Sequence, residues 1–314
     1  MDVLTKETRD LLVAQKNEWE LARKNFTGLD KVQVRTFQFD GFKVKVQFNP
    51  VRIVSSAAKV DKKSIEARPC FLCEANRPKE QRGVAFNDFS ILVNPFPIFP
   101  EHFTIPGFAH TPQRIQGNFG NMLDLARVMQ EFTVFYNGPK CGASAPDHFH
   151  FQAGNSDFMP INNEIDFLKE SYGTKLFSEA GTVWSIKDGL RNFIFLESTD
   201  KKALKINIES IYQSMKVDLN EEEPMMNILA SFHRSIWRVF IFPRALHRPT
   251  QYFEEGEKNI LLSPASVDMG GVFITPLEKD FKKIRKDDIK DILAQVLLDE
   301  ETFDKLIELI KTKA

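Results

Sequence analysis

Apolar and polar residues alternate between Val32 and Val54, first at Val32, Val34, Phe37 and Phe39 and again at Phe42, Val44, Val46 and Phe48. Asp40-Gly41 separates the two runs and suits the positive φ angles of a tight turn, so the segment predicts a β-hairpin that Asn49-Pro50 ends. Residues 3 to 25 instead set Leu11, Leu12, Trp19 and Leu21 among charges, the loose period of a peripheral helix. Between Cys70 and Gln152 the chain reads as strand (89–93), strand (103–106), helix, strand and a histidine run. That helix is expected over roughly 117–133, where Phe119, Met122, Leu123, Ala126, Met129 and Phe132 form one apolar face. This order predicts an α+β fold whose sheet carries a helix on one face. Lys201 to Asp218 predicts a counterpart helix, closed by Glu221-Glu222-Glu223-Pro224, and the stretch from Asp287 onward predicts terminal helices.

An internal echo extends this picture. Phe103-Thr104-Ile105-Pro106-Gly107-Phe108-Ala109-His110-Thr111-Pro112 keeps its phenylalanine, both prolines and its histidine in register with Phe240-Ile241-Phe242-Pro243-Arg244-Ala245-Leu246-His247-Arg248-Pro249. The strands before them, Phe89 to Val93 and Met226 to Ala230, take comparable places, so two related halves are expected, 1–160 and 161–314. The second half has no His-x-His and is expected to be a degenerate copy.

The chain has 314 residues, 42% hydrophobic and 27% charged, which suits a globular protein rather than a disordered one. Its 42 basic and 43 acidic residues give a net charge of -1, which argues against nucleic acid as a partner and requires any phosphate recognition to be local. The charged N-terminus lacks the apolar core of a signal peptide and no stretch is long enough to span a bilayer, so a cytoplasmic location without a membrane partner is expected. Three cysteines are too few for a disulfide scaffold, and the 29 phenylalanines are read as core and pocket filling.

The candidate chemistry centres on His148-Phe149-His150-Phe151-Gln152. A neutral imidazole is nucleophilic towards phosphorus and can leave again, splitting one displacement into two. Strand alternation would point His148, His150 and Gln152 to one face and the phenylalanines to the other. The competing reading is a half-buried strand with a solvated polar face. The preceding Asn137-Gly138-Pro139-Lys140-Cys141-Gly142-Ala143-Ser144 favours the chemical one, because small residues let backbone approach phosphate oxygens. Cys70-Phe71-Leu72-Cys73 can place two thiolates on one cation, with His110 and His148 as the best candidates for the two further ligands of a zinc knuckle. A redox pair and two unliganded thiols are the competing readings, and His102 is the substitute for His110. Ordinary surface or hydrogen-bonded roles are expected for His233 and His247, burial for Cys141, and exposure or a phosphate contact for Lys140. Arg244 and Arg248 face either an anionic substrate or solvent.

These motifs, in their order and spacing, resemble the galactose-1-phosphate uridylyltransferases and the related GDP-hexose phosphorylases and dinucleoside tetraphosphate phosphorylases of the histidine-triad superfamily. Cys70-Phe71-Leu72-Cys73, Asn76-Arg77 and Asn87-Asp88-Phe89 look like the uridylyltransferase zinc knuckle and nucleoside-contacting segment. Phe48-Asn49-Pro50 with Arg52-Ile53-Val54-Ser55 is similar to that family's N-terminal strand, and His148-Phe149-His150-Phe151-Gln152-Ala153 is closer to the phosphorylase form. The likeness covers residues 40 to 155 well and the second half weakly. It implies a duplicated histidine-triad-like antiparallel sheet with helices, structural zinc on Cys70, Cys73, His110 and His148, His150 as nucleophile and Gln152 on an α-phosphate oxygen. It further implies that Asn87 and Asp88 face the nucleoside and that Asn137 and Ser144 help to hold phosphate. The chain departs from the uridylyltransferases in having Phe149 where they carry proline and Ser56-Ala57-Ala58-Lys59 where they carry arginines, and in the spacing after Ser144.

The resulting expectation is a nucleotidyltransferase or phosphorylase acting on a nucleoside diphosphate sugar, GDP-hexose or UDP-hexose, through a covalent nucleotidyl-histidine. Phosphate or a sugar phosphate is the second substrate, with a slight lean to phosphorolysis, and a homodimer is the candidate assembly. The alternatives are a dinucleoside tetraphosphate phosphorylase and a nucleotide-binding protein without turnover.

Overall fold

A computed structural model describes residues 3–53, 61–177, 181–219 and 221–313. Its strands are β1 (Gln33–Gln38), β2 (Lys43–Phe48), β3 (Gly83–Phe86), β4 (Phe89–Val93), β5 (His102–Pro106), β6 (Phe132–Asn137), β7 (His150–Asn155), β8 (Gly173–Phe177), β9 (Thr182–Lys187), β10 (Asn192–Ser198), β11 (Met226–His233), β12 (Ile236–Pro243) and β13 (Val272–Thr275). The helices of nine or more residues are α1 (Val3–Glu18), α2 (Glu20–Gly28), α3 (Phe119–Val128), α4 (Pro160–Tyr172), α5 (Lys201–Ser214), α6 (Lys286–Val296) and α7 (Glu300–Lys313).

The hairpin forms as its alternation predicts: β1 and β2 pair antiparallel, and Gly41 takes a φ of 82° in the turn. Val54, Ser55 and Ser56 to Lys59 lie outside the described residues. The helix expected over 3–25 is two helices, because Trp19 adopts extended backbone between them. The helix expected over 117–133 runs only from Phe119 to Val128. Gly117 turns at a φ of 84° before it, and Phe132 already belongs to β6.

The main sheet is antiparallel throughout, in the order β3-β4-β5-β7-β6-β11-β12-β10-β9-β8. The connectivity β3-β4-β5-α3-β6-β7 is repeated as β8-β9-β10-α5-β11-β12, and the two runs mirror each other about the central β6–β11 pair. The echo between Phe103–Pro112 and Phe240–Pro249 does not follow this register. It aligns β5 with β12, whereas β5 corresponds in position to β10, and β12 to β7. What the two segments share is a buried strand that ends at a proline. The division near residue 160 falls at the start of α4, yet the halves share one sheet, and β13 from the second half pairs in parallel with β2 from the first.

Alternation along the strands splits the core in two. Val134, Tyr136, Phe151, Ala153, Ile228 and Val239 face a layer built from α1, α2, α3, α5 and α7. Phe135, Leu229, Phe240 and Phe242 face the small sheet β1-β2-β13 together with α4 and α6. Most of the largest fully buried side chains are phenylalanines, in keeping with their role as filling. Among the described residues no helix is long and apolar enough to cross a membrane.

Arg244, read from sequence as a possible substrate contact, is a buried structural residue. Its guanidinium donates to the carbonyls of Val296, Pro264, Leu246 and His247 and to Asn227 Oδ1, at 2.5 to 3.2 Å. Arg244→Met would leave these acceptors unpaired and should lower unfolding stability by about 3 kcal/mol. A loss below about 1 kcal/mol in chemical denaturation would contradict this account.

Candidate active site

His150 opens β7, and its main chain is clamped by the amide of Gln113. Gln113 Oε1 accepts from the His150 N–H at 2.8 Å, and Gln113 Nε2 donates to the carbonyls of His150 and Asn137 at 3.0 Å each. The sequence reading missed Gln113; its signal was a lone polar residue, after Thr111-Pro112, that the fold buries completely. The His150 ring donates Nδ1–H to the His148 carbonyl at 2.8 Å, which leaves the Nε2 lone pair free. Burial pushes the imidazole pKa down to about 4, so it stays neutral and nucleophilic at physiological pH.

Alternation holds for part of the histidine run. His150 and Gln152 share a face that lines a cavity of about 560 Å³, while Phe151 packs into the helical side of the core. His148 does not join them, because it precedes the strand and its ring turns towards the cysteines. The expected convergence of three polar groups is therefore one of two.

Cys70, Cys73, His110 and His148 come together with their donor atoms all within 4.8 Å of one another. Cys70 Sγ lies 3.3 Å from His148 Nδ1, and Cys73 Sγ lies 3.2 Å from His110 Nδ1 and 3.5 Å from His148 Nδ1. A tetrahedron with metal–ligand bonds of about 2.0–2.3 Å has sulfur–nitrogen edges of about 3.5 Å, so the set fits a metal ion. His148 Nε2–H donates to the Gly107 carbonyl at 2.8 Å, which fixes the tautomer that presents Nδ1 to a cation. The cysteines sit in a knuckle: the Cys73 N–H returns to the Cys70 carbonyl, which also accepts from Asn76 Nδ2. His102, the substitute ligand, lies elsewhere, against Gln152.

Asn137 and Ser144 line the cavity with His150 and Gln152. The Asn137 Oδ1 accepts from the Ser266 N–H and from Asn227 Nδ2, so its NH2 group is the end left without a protein partner among the described residues. Asn87 and Asp88 are not brought to the site. They form the exposed turn between β3 and β4, with Asn87 at a φ of 48°, so this polar pair is turn chemistry. Lys140 is ion-paired with Glu221, and Cys141 is buried with its thiol pKa pushed up to about 12. His247, read from sequence as a surface or hydrogen-bonded residue, is half-buried in the cavity wall, and His233 is exposed.

Three arginines line the same cavity, Arg52, Arg68 and Arg248, against the carboxyl of Asp268. Arg52 Nε and Arg68 Nη1 are buried without a hydrogen-bond partner among the described residues, which favours an anionic ligand there. Arg52 and Arg68 adjoin the recognised motifs, but only the tertiary structure brings them alongside Arg248. Gly142 holds the Ala143-Ser144 wall in place at a φ of 96°, and a Cβ there would meet Ala265 Cβ at 2.5 Å. Gly142→Ala should therefore cost about 1–3 kcal/mol in thermal denaturation. A neutral result would mean that the loop yields.

Two domain families match the chain. Residues 11–155 match a domain of unknown function (DUF4922), and residues 183–314 match the GDPGP1-like, C-terminal domain. No curated protein matches it in sequence. Among solved structures, the yeast Ap4A phosphorylase Apa2 superposes with a TM-score of 0.60 at 16% identity, covering 95% of each chain. The same yeast protein in complex with Ap4A gives 0.63 at 15%, over 95% of this chain and 98% of that one. At such identity the likeness carries the fold alone. Residues 183–314 are thus similar to the GDPGP1-like, C-terminal domain, and the chain as a whole shares its fold with the yeast phosphorylase.

Proposed function

We propose that the protein transfers a nucleotidyl group through His150, by phosphorolysis of a nucleoside diphosphate sugar. The observation that carries this reading is the bond from His150 Nδ1 to the His148 carbonyl, which leaves Nε2 as a lone pair beside a cavity lined with arginines. Nε2 attacks the α-phosphorus, the bond to the distal phosphate oxygen breaks, and that group leaves with the electron pair. Inorganic phosphate then takes the nucleotidyl group and frees the imidazole. The His148 carbonyl favours the positive charge on the substituted ring, while the NH2 groups of Gln152 and Asn137 would donate to the equatorial oxygens. Trp19, Phe71 and Phe96 offer an apolar wall for a base. Zinc on Cys70, Cys73, His110 and His148 would be structural and would fix the entry to β7.

The likeness of residues 148–153 to the GDP-hexose phosphorylase form supports a sugar nucleotide, and the mirrored connectivity supports an origin by duplication. In the second half a turn at Arg234-Ser235 joins β11 to β12 in place of the active-site segment 138–149. A dinucleoside tetraphosphate substrate is the second reading, favoured by the fold shared with the yeast enzyme. Incubation with GDP- and UDP-hexoses and dinucleoside tetraphosphates, with and without phosphate, separates the two. Phosphate-dependent release of nucleoside diphosphate from a sugar nucleotide is the expected result. Turnover of dinucleoside tetraphosphates alone would favour the second reading, and no turnover of any would defeat both.

A further inference from the structure

His102 is fully buried, is not part of the metal cluster, and sits beside the active-site strand. The backbone N–H of Ile98 donates to its Nδ1 at 3.1 Å. A main-chain N–H can only donate, so Nδ1 must accept, and the neutral ring carries its proton on Nε2. That Nε2 lies 3.0 Å from Gln152 Oε1. Asn94 Nδ2 approaches the same oxygen at 3.5 Å and also donates to Thr104 Oγ1 at 2.9 Å, while Asn94 Oδ1 is held by the Phe96 N–H at 2.9 Å. Two donors with orientations pinned by main-chain N–H groups thus converge on one end of the Gln152 amide. The flipped amide would set NH2 against both, a donor-to-donor contact inside a buried site.

We propose that His102 is a positioning residue for Gln152: its Nε2–H holds the amide oxygen, so that the Gln152 NH2 faces the cavity as a donor to the substrate's phosphate. The proposal rests on the nucleotidyl-transfer reading and adds to it how the donor is oriented. Burial pushes the His102 pKa down to about 3, in keeping with the neutral ring. Phe99 packs edge-on against the imidazole at 5.1 Å and leaves it little freedom to turn.

The test compares single-turnover formation of nucleotidyl-His150 in wild type, His102→Phe and His102→Gln, each also in a Gln152→Ala background. His102→Phe removes the donor and should slow labelling by about a hundredfold with a smaller change in substrate affinity. His102→Gln, whose amide nitrogen reaches to about the place of Nε2, should recover most of that rate. In the Gln152→Ala background His102→Phe should add little. Equal losses in both backgrounds, or an affinity loss with an unchanged rate, would overturn the proposal. Should His102→Phe fail to fold, the ring-nitrogen NMR shifts of wild-type His102 still decide, since a proton on Nδ1 overturns it and a neutral Nε2–H ring supports it. Wild-type protein that takes no label defeats the nucleotidyl-transfer reading instead, and the NMR measurement then tests the amide orientation by itself.

Discussion

His150→Ala should lose at least about four orders of magnitude in the rate of forming the covalent nucleotidyl-enzyme, because the lone pair that the His148 carbonyl aims at the cavity goes with the imidazole. His247 shares the wall, but among the described residues no hydrogen bond fixes its ring tautomer. The variant should still fold. Gln113 clamps the backbone N–H and carbonyl at position 150, and neither bond needs the imidazole. The stability loss should stay near 1–3 kcal/mol, for the His148 carbonyl left without its Nδ1–H partner. Wild type and variant are incubated with radiolabelled nucleotide, denatured and counted. A His150→Ala protein that labels as wild type would sink the assignment of the nucleophile.

The second large effect is expected at the metal cluster. Purified protein should contain about one equivalent of zinc, and Cys70→Ala or His148→Ala should lose it. Loss of the metal should also slow labelling of His150 by a hundredfold or more, since even outer partners of metal ligands are worth about 10–100-fold. The route is short: His148 is both a member of the cluster and, through its carbonyl, the acceptor that sets the His150 tautomer. Global unfolding is not expected. The two large core clusters lie on either side of the main sheet, and the cysteines belong to a separate small cluster. Chelation should therefore lower the melting temperature without abolishing cooperative unfolding. Because thiols must lose protons on binding, zinc affinity should rise with pH. Less than half an equivalent of zinc with full labelling activity would remove the structural role.

Local signals carried a good part of this molecule. Alternation gave β1 and β2, apolar content gave β4, the segment at 103–106 was read as β5, the Asp-Gly pair gave the first turn, and helical period gave α3, α5 and the terminal helices within a few residues. The spacing Cys-x-x-Cys with His110 and His148 gave a cluster that the fold assembles, and His-x-His-x-Gln gave the strand that enters the cavity. Each of these is a pattern of period two, period 3.6 or a fixed short offset, and such patterns survive in a linear string.

What the sequence did not determine are the relations between distant segments. Asn87 and Asp88 matched a motif by type, but a two-residue turn puts them at an exposed hairpin. The Pro106 and Pro243 echo matched by residue, yet it aligned strands that occupy different places in the mirrored sheet. Arg244 and Arg248, four residues apart, went to different fates: one is saturated by buried carbonyls and the other lines the cavity. Gln113 and His102 make their hydrogen bonds to partners tens of residues away, at His150 and Gln152. The sequence by itself determined which residues could do the chemistry. Tertiary structure decided which of them lie together, because hydrogen-bond direction and burial depend on neighbours that no local period encodes.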